Sequence, residues 1–242
     1  MNKLKALIVG DFLRLAKYNL FIASVVVALI WVGLGLFLEP EQMVEFLPLV
    51  FFMEASAMTA LLVGAEMYYE KKEHTISSML ISPITEIEYI LSKVITHLIN
   101  IMIILLLISV GLYFVNELVI SYAWLLLSAL IVTSFYVSIG LLLSYYSKDF
   151  TALLINYMFM MLIFLLPSVL VMFNVFDGKW IDIVKYMPSE VTLRILSSAI
   201  VSKVDLTQYL FDVVYLFGFG FIIYRLIVIP GFKKFATEYL GV

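Results

Sequence analysis

The chain has 242 residues, 64% of them hydrophobic and 14% charged, with a formal net charge of −3 and no cysteine. Soluble domains run at about 45–50% apolar and about 25% charged, so a single water-soluble core could not bury this much apolar surface and lipid must be the solvent for much of it. The charge balance excludes a basic nucleic-acid surface, and the missing cysteine excludes a disulfide framework or thiolate chemistry.

The first 19 residues carry Leu4, Leu7, Ile8, Phe12 and Leu15 at helical spacing, with Lys3, Lys5, Arg14 and Lys17 among them. That pattern predicts a helix lying on the inner membrane surface. No small-residue cleavage site follows, so the next apolar segment is expected to remain as a span. A membrane-crossing helix needs about 20 largely apolar residues. Six segments meet that requirement: 20–38, 46–65, 94–115, 122–146, 152–173 and 209–229. Glu39-Pro40-Glu41 stops the first, and Pro230-Gly231 is expected to end the last, because proline lacks an amide donor and glycine favours a helix stop. The expectation is an all-α membrane protein of six transmembrane helices forming one domain over 1–242. A β-barrel would need alternating segments of about ten residues, whereas these runs are apolar on all sides.

Orientation follows from the basic residues in the connections. With the N-terminus inside, the inner segments hold eleven of the 15 Lys and Arg: Lys3, Lys5, Arg14, Lys17, Lys71, Lys72, Lys93, Lys148, Arg225, Lys233 and Lys234. Lys179, Lys185, Arg194 and Lys203 fall outside, all in one loop. Both ends are therefore expected in the cytoplasm, with the chain multi-pass in the cell membrane of a prokaryote.

Two connections are long, and long loops in compact proteins are functional or carry structure of their own. The inner one, 66–93, is charged at Glu66, Glu70, Lys71, Lys72 and Glu73, which predicts that the second span extends into the cytoplasm as a solvated helix. A short helix over 75–82 follows, with Ile76, Met79, Leu80 and Ile81 as its apolar residues, and Pro83 breaks it. Thr85 and Glu88 have capping-box spacing, which starts the helix leading into the third span. A short helix between two struts can dock in a partner's cleft and transmit its movement; the alternative is a solvated elbow resting on the headgroups. The outer connection, 174–208, predicts a helix from Ser189 to about Ser202 with Val191, Ile195, Ala199 and Ile200 on one side.

Polar groups inside spans cost free energy, about 2.5–3.5 kcal/mol for a central acid. Glu54 lies near the middle of the second span. It either faces a central path, touching a cationic or zwitterionic substrate or a proton, or is protonated or hydrogen-bonded to another span. His97 and Asn100, one turn apart near the inner end of the third span, are further path candidates, with interhelical packing as the alternative. Asp212 opens the sixth span, where the helix dipole favours an acid.

The order Glu70-Lys-Lys-Glu73, Thr75, Met79-Leu-Ile, Ser82-Pro83 and Lys93 resembles the permease subunits of type-2 ATP-binding-cassette exporters, with His74 in place of the usual glycine. Met187-Pro188-Ser189-Glu190 is similar to that family's proline-led outer helix, and the overall layout also matches; the nearest resemblance is to small drug-export permeases of the fluoroquinolone type. The resemblance implies that two six-span halves, a second copy or a sister permease, dock two separate cytosolic ATPase subunits. It assigns Glu70, Lys71, Lys72, Glu73, Thr75, Ile76, Met79, Leu80, Ile81 and Pro83 to the coupling elbow. Pro188, Val191 and Ile195 become candidates for an outer gate. No G-x-x-x-x-G-K-[ST] run is present, so ATP and Mg would be held by the partner and no cofactor by this chain. An intramembrane enzyme is disfavoured, since neither G-x-S-x-G nor H-E-x-x-H occurs. A secondary transporter, a channel subunit and a non-transporting scaffold are the remaining alternatives.

Overall fold

The computed structural model describes residues 3–76, 82–173, 175, 178–200 and 204–237. Among them every regular element is helical. Helix α1 (Lys3–Lys17) and α2 (Leu20–Leu34) meet at 64°. The bend falls at Asn19, whose left-handed φ of 57° is a conformation that asparagine tolerates better than most residues. Helix α3 runs continuously over Pro40–Lys72, with a π-helical stretch at Met53–Met58. It opens on a capping box between Glu39 and Gln42 with Pro40 in the first turn. Next come α4 (Glu86–Asn116), α5 (Tyr122–Tyr145) and α6 (Phe150–Met172). Two short helices, α7 (Lys179–Val184) and α8 (Pro188–Ser197), fill the connection before the last long one. Helix α9 runs over Leu206–Ile223, through a π-helical Tyr224–Val228, into Ile229–Thr237.

Five of these helices are long and apolar enough to cross a bilayer, and six if the bent α1–α2 pair counts as one. The chain is thus a helical, multi-pass membrane protein. By itself α2 rises only about 22 Å at 1.5 Å per residue, short of a hydrocarbon core of about 30 Å, which is why it qualifies only with its neighbour.

The bundle centres on α3, α4 and α5, and α3 packs most extensively on α5. Lipid supplies no hydrophobic drive between helices, so close backbone approach and polar contacts carry the packing. At Gly140 of α5 an added Cβ would lie 2.7 Å from both the Ala60 carbonyl oxygen and Val63 Cβ of α3. Asn116, at the end of α4, donates to the carbonyls of Gly35 (3.0 Å) and Leu38 (3.2 Å) and ties down the end of α2. Helix α6 lies at the periphery with its apolar side chains mostly exposed or half-buried.

Two boundaries differ from expectation. The last helix passes through Pro230-Gly231 and buries Phe232, Phe235 and Ala236. The π-helical stretch already breaks the regular hydrogen-bond ladder ahead of Pro230, so a residue without a donor costs less there. The extension of α3 is helical as expected but not solvated: Glu66 and Glu70 are fully buried and Lys71 is 9% exposed.

Candidate functional site: a buried charge cluster beside the elbow

The amphipathic pattern of α1 buries Leu7, Asp11 and Leu15, one acid among leucines at four-residue spacing. That stripe rests on α4 and, less extensively, on α3. Helix α3 contributes Glu66 and Glu70, again four apart, and α4 contributes Lys93 and His97 at the same spacing, so each pair lies on one helix face.

Lys93 Nζ stands among three carboxylates: Asp11 Oδ1 at 2.8 Å, Glu66 Oε1 at 2.7 Å and Glu70 Oε1 at 2.6 Å. Arg14 adds a second cation, with Nη2 2.5 Å from Asp11 and 2.6 Å from Glu70 and Nε 3.7 Å from Glu66. Ser92 donates to Asp11 Oδ2 at 2.8 Å, Tyr89 donates to Glu70, and His97 Nε2 lies 2.9 Å from Glu66 Oε2. All three acids and Lys93 have no solvent exposure. Desolvating each ion costs several kcal/mol, offset only when geometry and extra hydrogen bonds are good; the short contacts and the bonds from Ser92 and Tyr89 supply most of that offset, while Arg14 Nε and His97 Nδ1 have no hydrogen-bond partner among the described residues. Burial alone would lower the Arg14 pKa, but Glu70, Asp11 and Glu66 outweigh it and hold the guanidinium above its ordinary value.

The carboxylates of Asp11, Glu66 and Glu70 lie within 4.8 Å of one another, a donor set of the kind divalent cations take. Here the cation they surround is the Lys93 ammonium, so the cluster carries its own counter-ion and ties α1, α3 and α4 into one unit.

The elbow emerges directly from this unit. Glu73 accepts hydrogen bonds from Lys17 and Tyr18 and so fastens the end of α3 to the end of α1. Those two bonds hold the Glu73 carboxyl below the ordinary carboxylate range. His74 turns the chain with φ 57°, the left-handed conformation that glycine adopts without strain. Thr75 Oγ1 donates back to the Glu70 carbonyl at 2.9 Å. On the far side, Thr85 and Glu88 form the expected capping box, and Lys3 Nζ donates to the Pro83 carbonyl at 2.6 Å.

Of the residues expected to couple to a partner, Lys72 and Pro83 are exposed and Glu73 and Thr75 half-buried. Glu70, Lys71 and Ile76 face inward instead; Ile76 is 2% exposed and joins the core. Met79, Leu80 and Ile81 lie outside the described residues. On the α3 side the described surface of the elbow is polar, because Glu70 and Ile76 are consumed by the fold, whereas the α4 side exposes Ile87.

The three path candidates do not form one set. Glu54, fully buried in the π-helical turn of α3, accepts a hydrogen bond from Trp31 Nε1 at 3.0 Å, and its Oε2 has no partner among the described residues. His97 belongs to the charge cluster. Asn100 is buried with neither amide atom paired among the described residues. At the other end of the bundle, Pro188 begins α8 and is buried with Val191 and Ile195, and α8 packs on α3, α5, α6 and α9. Ser128 donates to the Ile195 carbonyl at 2.9 Å. Asp212, expected to act through the helix dipole, is held by Arg194 through two bonds of 2.8 and 3.0 Å.

Sequence reasoning passed over Asp11, Arg14, Glu66, Tyr89, Ser92 and Lys93 as a group. A signal was present: Asp11 interrupts the apolar stripe of α1 between Leu7 and Leu15, and such an acid must find a cation. Compared with known proteins, the chain matches no family model and no curated sequence.

Proposed function

We propose that the chain is the membrane-spanning permease subunit of an ATP-driven exporter, coupled through the 66–93 elbow to separate ATPase subunits and moving a drug-like or amphipathic substrate by alternating access. The observation that carries this reading is the buried charge cluster. It joins α1, α3 and α4 at the point where the elbow leaves α3 and re-enters α4, so a push on the elbow moves three helices together. A loose surface turn would need no such bracing, and a network of three acids and two cations holds only while its geometry is kept. The N-terminal helix ahead of α2 and the helical segment before the last long helix support the reading, since both are parts of the layout that the resemblance implies.

The test is purification of the tagged full chain from its native membrane. The expected result is retention of a nucleotide-binding ATPase subunit, with ATP turnover reduced at least severalfold by Lys72→Ala/Pro83→Ala, the exposed coupling residues of the elbow. A chain that purifies with no ATPase, or turnover indifferent to the elbow, overturns the reading. A second reading, a secondary transporter, is favoured by one observation: Glu54 presents in mid-span, where ion-coupling acids sit, a carboxylate oxygen with no partner among the described residues. It predicts substrate movement driven by a proton gradient in vesicles lacking ATP and abolished by Glu54→Gln.

A further inference from the structure

A cleft of about 280 Å³ opens where the α5–α6 turn meets the last turns of α3 and α9. Three lysines from three different segments converge on it, Lys71, Lys148 and Lys234. Lys71 is 9% exposed, an uncommon burial for an ammonium. It is positioned by a hydrogen bond to the Ser147 carbonyl at 3.0 Å and lies 4.9 Å from the centre of the Phe235 ring. The Tyr145 and Phe235 rings, 4.7 Å apart, form a wall. Gly231 keeps that wall close, since a Cβ there would lie 3.3 Å from the Tyr145 ring. On the remaining side the lining passes to Ile227, 42% exposed, next to Leu226, 68% exposed, on the lipid-facing surface of α9.

The chemistry is divided: concentrated positive charge at the helix ends, and an apolar track running from it along a membrane helix. A small soluble anion would use only the first part. We propose that this cleft binds an acidic phospholipid, its phosphate among the three lysines and the start of an acyl chain along Ile227 and Leu226. Basic pockets between helix ends are where anionic headgroups are held, and each lysine near a headgroup contributes about 1 kcal/mol, which is about fivefold in affinity. The inference needs only that the helices lie in a bilayer and is independent of the permease role.

The experiment uses the purified full chain in detergent, with thermal unfolding followed against added dioctanoyl phosphatidylglycerol, dioctanoyl phosphatidylcholine or inorganic phosphate. Phosphatidylglycerol is expected to raise the melting temperature saturably, phosphatidylcholine not to do so, and phosphate to act only at concentrations at least tenfold higher. Lys71 is packed into the fold, so the variant tested is Lys148→Gln/Lys234→Gln, both residues being exposed. Measured against its own melting temperature without lipid, it should bind phosphatidylglycerol about 25-fold more weakly. Equal stabilisation by the two lipids would leave only an apolar groove and overturn the proposal. Phosphate matching phosphatidylglycerol would make the cleft a free-anion site, and unchanged affinity in the double variant would place the lipid elsewhere; either result also overturns it.

Discussion

Replacing Lys93 with methionine removes the ammonium from among Asp11, Glu66 and Glu70 while keeping most of the side-chain volume. Each of its three contacts is 2.6–2.8 Å long and none of the four groups touches solvent. Three carboxylates would then share Arg14 alone, which bonds Asp11 and Glu70 but stands 3.7 Å from Glu66. Breaking a buried pair by removing one partner costs about 3–5 kcal/mol. At about 2–4 °C per kcal/mol for a chain of this size, Lys93→Met should melt roughly 6–20 °C below the parent in the same detergent. The same arithmetic predicts partial rescue by Lys93→Met/Glu66→Gln, because the carboxylate that Arg14 serves least is then neutral. Thermal unfolding of parent, both single variants and the double variant gives the coupling energy directly. If Lys93→Met melts within about 2 °C of the parent, or if the two changes add without coupling, the carboxylates do not depend on that ammonium and the rigid-unit argument fails.

Further consequences are open to measurement. The Glu73 carboxyl is held below its ordinary range by bonds from Lys17 and Tyr18, so its clasp between α1 and α3 is complete above the ordinary carboxylate value and is lost as pH falls through the depressed one. Hydrogen-exchange protection at the start of the elbow, taken relative to the intrinsic rate at each pH, should therefore fall at acid pH, and Glu73→Gln should remove that change. Gly140→Ala would place a Cβ 2.7 Å from the Ala60 carbonyl oxygen; backbone has to move, and a loss of about 1–3 kcal/mol is expected in thermal unfolding. Glu54→Gln keeps an acceptor for Trp31 Nε1, whereas Glu54→Leu removes it. The glutamine variant should hold its melting temperature and the Trp31 emission, and the leucine variant should lose about 1–3 kcal/mol.

How much of the molecule was legible beforehand divides along physical lines. The capping box at Thr85 and Glu88, the helix of the first 17 residues and the helix that opens on Pro188 each depend on residues within one or two turns. Their spacing announced them. Pro230-Gly231 reads locally as a stop, but the π-helical stretch ahead of it and the docking of Phe232 and Phe235 into the bundle carry the helix onward. Glu66 and Glu70 look solvent-facing by composition, because charge after an apolar run usually marks exit from the membrane. Their burial depends on α1 folding back over them, an event 50 residues away in the chain.

Composition and hydropathy alone determined that lipid is the solvent, that the chain is helical and roughly where its helices lie, because those properties are written into short windows of residues. Which charges meet was decided only in three dimensions. Asp11, Glu70 and Lys93 come from three helices, and the bend at Asn19 and the close crossing of α3 and α4 bring them within hydrogen-bond reach. Hydropathy is a property of a segment, whereas an ion pair between helices is a property of their crossing geometry, which no single segment contains.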